Sequence, residues 1–140
     1  MKAMWRNERL RLRARGAGAT LLALAALLAW VYRPVLAGNV LVGRDLFREF
    51  IPDAYFLKEC LTQGNLPLWI PHLRLGQPFI GTFQTQPLYP LRVLLVFLFE
   101  PERALTLQHI LQVGLSALLT LGLGRAVGLS RTAARLSALS

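Results

Sequence analysis

A single cysteine, Cys60, excludes an intramolecular disulfide, and says nothing of redox compartment. Its ordinary reading is a small buried hydrophobe. Two histidines, His72 and His109, lie far apart with no zinc-ligand spacing around either. There is no phosphate-cradling glycine loop and no nucleophile elbow. Acidic residues are also few, seven against sixteen lysines and arginines, which leaves a net charge of +9. What is abundant is apolar: 54% of the 140 residues are hydrophobic, which points to the membrane class.

The excess positive charge is concentrated at the two ends. Lys2, Arg6, Arg9, Arg11, Arg13 and Arg15 crowd the start against Glu8, and Arg125, Arg131 and Arg135 crowd the end with no acid among them. Between Gly38 and Arg103, Arg44, Arg48, Lys58, Arg74, Arg92 and Arg103 are balanced by Asp45, Glu49, Asp53, Glu59, Glu100 and Glu102. Basic residues flanking apolar segments form the positive-inside pattern. A nucleic-acid surface would need bases interleaved with aromatics on one face, so nucleic acid is not an expected partner.

Residues 17–37 form the first expected transmembrane helix, after a basic cytoplasmic segment, 1–16. Ala17–Leu36 is apolar apart from Thr20, Tyr32 and Arg33, about the length that crosses ~30 Å of hydrocarbon. Trp30 and Tyr32 fall where an interfacial aromatic belt belongs, and Arg33 can snorkel outward. A cleavable signal peptide competes, because Val35-Leu36-Ala37 precedes Gly38. The long apolar run and the Arg33-Pro34 interruption favour an uncleaved anchor.

Residues 88–103 predict a short re-entrant or interfacial helix and a turn. Leu88–Phe99 is strongly apolar, but as a helix it reaches only ~18 Å. Pro90 suits its first turn, and Glu100-Pro101-Glu102-Arg103 breaks it. Residues 104–127 form the second expected span. With Leu88–Phe99 not crossing, both basic ends lie in the cytoplasm and residues 38–103 lie outside. Gln108, Gln112, Ser116, Thr120 and Gly124 recur every fourth residue along this span, a stripe suited to helix–helix contact, with His109 beside it. Residues 128–140 read as a cytoplasmic turn in which Ser130 caps the start of a further helix. The predicted fold is an all-α membrane protein with two transmembrane helices, the beginning of a larger polytopic bundle.

Residues 38–87 predict an extracytoplasmic helix followed by an ordered loop. Pro52–Gln63 reads as an amphipathic helix, with Asp53 complementing its dipole, Ala54, Leu57 and Leu61 on one face, and Gly64 as its stop. From Asn65 onward Pro67, Pro71, Pro78, Pro87 and Pro90 forbid a continuous helix, while Trp69, Phe79, Phe83 and Tyr89 supply apolar anchors. Such a loop is either functional or a structural cap. Asp45, just beyond the first span, is able to accept a proton from a sugar hydroxyl or to bind a divalent cation that holds a phosphate. The plainer alternative is an interfacial ion pair with Arg44 or Arg48. Glu49 and Asp53 follow at four-residue steps, although Pro52 argues against one continuous helical face. His72 is a candidate for phosphate contact or acid–base work.

The order Asp45, Phe50-Ile51-Pro52, Gly64-Asn65-Leu66-Pro67-Leu68-Trp69, Pro71, Gly76-Gln77-Pro78-Phe79 and Tyr89-Pro90 resembles the N-terminal region of YfhO-like bacterial membrane proteins. These are similar to GT-C-type glycosyltransferases, multi-span enzymes that use polyprenyl-phosphate sugars. The resemblance implies a multi-pass protein of the bacterial inner (cytoplasmic) membrane with a cytoplasmic N-terminus. It implies that Asp45 is the catalytic or metal-binding acid of the first external loop, with a divalent cation as the possible cofactor. In the family a glycine more often directly precedes that aspartate, whereas here Arg44 follows Gly43. Arg48, Trp69, His72 and Gln77 are the substrate-binding candidates, for a polyprenyl-phosphate-linked sugar and its acceptor. Expected partners are membrane lipid and further transmembrane helices of the same or another protein. The competing expectation is a non-catalytic truncated or accessory membrane subunit that docks onto partner helices, with a small transporter component behind both.

Overall fold

The computed structural model describes residues 18–71, 73, 75–82 and 84–139. The basic N-terminal segment, His72, Arg74 and Phe83 lie outside the described residues. The fold is mostly helical, as the all-α expectation has it. Helix α1 covers Gly18–Val31, α2 Arg33–Leu36, α3 Ile51–Thr62, α4 Pro90–Leu98, α5 Pro101–Ala126 and α6 Arg131–Leu139. A π-helical segment, Leu46–Phe50, leads into α3, and β1 (Trp69–Ile70) pairs antiparallel with β2 (Gln77–Pro78). The chain divides into two compact units, Ala37–Leu111 and, together, Met1–Leu36 with Gln112–Ser140.

The first apolar stretch is interrupted where its sequence is. Pro34 has no N–H to donate, and the helix breaks at Tyr32 before a single further turn, α2. The Arg33 guanidinium turns back over the Trp30 ring, 5.9 Å from its centroid. In this same unit α5 approaches two neighbours at small residues. A Cβ at Gly114 would lie 3.4 Å from Leu28 Cδ1, and one at Gly124 would lie 3.1 Å from the Ala134 Cβ of α6. The four-residue stripe is thus covered unevenly: Gly124 is buried, Gln112 and Thr120 are half-buried, and Ser116 is exposed. Ser130 Oγ accepts from the Ala133 N–H at 3.2 Å, the expected N-cap of α6.

In Ala37–Leu111 the helical path begins before the proline that was expected to start it. Arg44 and Asp45 already have helical geometry, and the chain stays helical to Thr62. The Ile51 N–H reaches back to the Leu46 carbonyl, one residue further than in an α-helix. Pro52 removes the next donor, so a widened turn immediately ahead of it keeps the path helical without a bond from that nitrogen. Glu49 and Asp53 therefore share one continuous helix. Its end is a Schellman turn: Gly64 at φ +70° donates to Leu61 O, and Asn65 donates to Cys60 O.

The core joins Ala54 and Leu57 of α3, Ile70 and Phe79 of the hairpin, Leu95 and Val96 of α4, and Ala104 and Leu105 of α5. Phe56 meets Phe79 edge-on, ring centroids 5.0 Å apart. The proline-rich stretch is thereby ordered. Trp69 pairs with Pro78 and Ile70 with Gln77, and the Phe79 N–H extends the ladder to Leu68 O. Gly76 donates to Leu73 O and closes the turn at φ +94°, while Leu75 before it sits at φ +67°, a left-handed conformation costing a leucine about 1–2 kcal/mol.

Helix α4 has nine residues, ~14 Å, too few to cross a bilayer. Pro101 does not merely break the chain after α4. It opens α5, whose 26 residues rise ~39 Å. Among the described residues α5 alone is long and apolar enough to cross a membrane, and α1 is shorter than that.

Candidate functional site

Asp45 lies in the first turn of the helical path, exposed, with Arg48 exposed one turn on. The ion pair that offered the plainer reading of Asp45 does not form: neither Arg44 nor Arg48 bridges it, and it bonds to no described residue. Arg48 is equally uncommitted among the described residues. No three His, Cys, Asp or Glu side chains converge among the described residues, so the protein groups at Asp45 do not by themselves make a metal cage.

Trp69 and Gln77 are brought together by the hairpin, on opposite faces of it. Trp69 lies over Gly76, where an added Cβ would sit 2.8 Å from the indole. Gln77, half-buried, pairs with Ile70. His72 belongs to the same loop but lies outside the described residues. The hairpin and α3 bound an open, largely apolar groove of about 520 Å³ lined by Pro52, Tyr55, Phe56, Lys58, Ile70 and Leu73 among others. Its edge is held by three hydrogen bonds from two side chains. Tyr55 Oη donates to Glu102 Oε1 at 2.8 Å, and Lys58 Nζ donates to Glu100 Oε1 at 2.8 Å and to Phe99 O at 3.1 Å. The bond to Glu102 raises the Tyr55 hydroxyl above the usual tyrosine range, helped by desolvation.

A second polar cluster was not anticipated from sequence. Arg92 of α4 is 2% exposed and Asp53 of α3 is 5% exposed, so both charged side chains are buried. The Arg92 Nη1 donates to the Thr85 carbonyl, and its guanidinium stands 6.0 Å from the centroid of the Phe50 ring. Burial lowers its pKa to about 10, opposed by the Asp53 carboxylate. Nearby, Thr82 and Thr85 share a short hydroxyl contact, and buried Gln108 donates to Gln86 Oε1 at 3.2 Å. Through Thr85, Gln86, Phe50 and Asp53 this cluster links α3, α4, α5 and the end of the loop, which makes its role structural. The one sequence signal for it was an arginine inside an apolar nine-residue helix, a charge that must find partners when its neighbours are buried.

Comparison of the chain with protein-family models, with curated proteins and with solved structures gives no match.

Proposed function

We propose that the chain is the N-terminal portion of a membrane glycosyltransferase-like protein that moves sugar from a polyprenyl-phosphate carrier to an extracytoplasmic acceptor. The observation that carries this reading is the state of Asp45 and Arg48. A carboxylate and a guanidinium stand one turn apart, exposed and unspent on each other, on a helix braced by a buried core. Unpaired groups of opposite charge suit a ligand that carries both a hydroxyl to deprotonate and a phosphate to neutralise. In this reading Asp45 is the base, or the single protein carboxylate on a divalent cation whose other ligands are phosphate oxygens and water. Arg48 faces the phosphate, and Trp69, His72 and Gln77 shape the donor or acceptor groove. Ala17–Leu36 and α5 are the two spans, both basic ends are cytoplasmic, and residues 38–103 face outward.

The test is transfer by the complete membrane protein carrying Asp45→Asn. Loss of transfer with unchanged membrane insertion is the expected result, because the amide neither accepts the proton nor carries the charge. Full activity would remove Asp45 from the chemistry. A second reading, an accessory subunit docking through α5, draws on the half-covered stripe of that helix. It expects Gln112→Leu with Ser116→Leu to abolish co-purification with a partner, and Asp45→Asn to leave it intact.

A further inference from the structure

The β1–β2 hairpin has two unlike sides. Side chains alternate along each strand, and Trp69 is paired with Pro78, so Trp69 and Pro78 fall on the outer side, with Gly76 against the indole and Pro71 next along the chain, while Ile70 points to the core. Trp69, Pro71 and Pro78 are exposed, and Trp69 keeps 54% of its surface uncovered although its indole lies close against Gly76. None of the four carries a charge. Next to Gly76, Leu75 leads the turn with its side chain fully exposed and its backbone left-handed.

This arrangement gains nothing from water. A leucine in a conformation that side-chain-bearing residues avoid normally repays the strain by packing, and among the described residues Leu75 packs against nothing. The outer face is also poorly made for a peptide partner. Pro71 and Pro78 have no N–H, so an added strand would find missing donors, and among the described residues of that face the indole N–H is the one side-chain donor. A flat aromatic ring with one polar atom beside proline and leucine is the composition of a lipid–water boundary. The unit that holds the hairpin also contains the start of α5 at Pro101, the helix long enough to cross a membrane.

We infer that the outer face of this hairpin is a membrane-contacting foot: Leu75 enters the acyl boundary and Trp69 lies at headgroup level. The inference rests on the membrane reading of α5 and is independent of any sugar chemistry. It gives the strained turn a purpose and the proline-flanked tryptophan a location.

The test uses the full chain in phosphatidylcholine–phosphatidylglycerol vesicles, with Cys60→Ser and one fluorophore attached at Leu75→Cys. A parallel sample carries the fluorophore at Leu119→Cys on α5. The expected result is blue-shifted emission at both positions. Quenching at position 75 should come from lipids spin-labelled near the headgroup, and at position 119 from lipids labelled deep in the chain. Water-like emission at position 75, quenched by aqueous iodide while position 119 is quenched by deep spin labels, would overturn the foot and leave the spanning helix standing. Shielding of position 75 from iodide without any lipid quenching would overturn it in favour of a protein contact. Absence of lipid quenching at both positions would overturn the foot together with the membrane reading.

Discussion

Gly64 and Gly76 both hold a left-handed backbone, at φ +70° and +94°, yet their surroundings differ. A Cβ at Gly64 meets nothing within 4 Å, whereas one at Gly76 strikes the Trp69 indole at 2.8 Å. Gly64→Ala should therefore cost only the conformational penalty, about 1 kcal/mol. Gly76→Ala adds a steric conflict and should cost about 2–4 kcal/mol. Denaturant unfolding in detergent followed by circular dichroism separates the two, and the larger loss should come with a change in Trp69 emission. Cys60 gives a pH-dependent check. Burial, with Glu59 beside it, pushes its thiol above the ordinary range. Alkylation of the folded chain should stay slow through neutral pH and climb at a higher pH than for the unfolded chain, where the thiolate forms earlier. At this scale the stops and caps were readable, since Gly64 and Ser130 act on backbone groups within a turn of themselves. Asp53 and Arg92 were not, because their burial is decided by helices distant in sequence.

Between elements, α3 is fastened to the corner of α4 and α5 by Lys58. Its ammonium holds both Glu100 and the Phe99 carbonyl, while Glu100 holds only the ammonium. The Glu100 side chain is 66% exposed, so the ion pair itself contributes little, below about 1 kcal/mol. Lys58→Met should accordingly cost more than Glu100→Gln, and a double-mutant cycle measures the shared part, which should shrink as salt is added. Buried Arg92 behaves differently. Arg92→Met removes its bond to the Thr85 carbonyl and a cation that acts through space on the Asp53 carboxylate, and should cost about 1–3 kcal/mol, while Arg92→Lys should recover part of that. Element boundaries were largely legible from local pattern: α4 begins at its proline, and α3 lies within a residue of its expected limits at each end. The π-helical turn was not legible. It arises where the missing donor of Pro52 meets the need of Leu46 and Phe50 to reach the core, and that need appears only in three dimensions.

For the molecule as a whole, the candidate site divides into a buried support and an exposed, uncommitted rim. The core of Ala37–Leu111 and its buried Arg92 brace α3 and the hairpin. Asp45 and Arg48 stay exposed at the start of the helical path, and later positions of α5 leave leucines such as Leu115, Leu119 and Leu123 uncovered. A leucine-rich helix with that exposure is at home in hydrocarbon or against further helices. The account therefore depends on sidedness above all. Charge distribution predicts it from sequence, and α1, Gly18–Val31, is the shorter apolar helix beside the longer α5. The most direct measurement is labelling of intact bacterial spheroplasts with a membrane-impermeant maleimide, using Cys60→Ser chains bearing a lone cysteine at Phe47→Cys or at Leu136→Cys. The account predicts reaction at position 47 in intact cells and at position 136 only after permeabilisation. Equal labelling of both positions in intact spheroplasts, or of neither, would contradict an outward-facing Asp45 helix at the mouth of a membrane span.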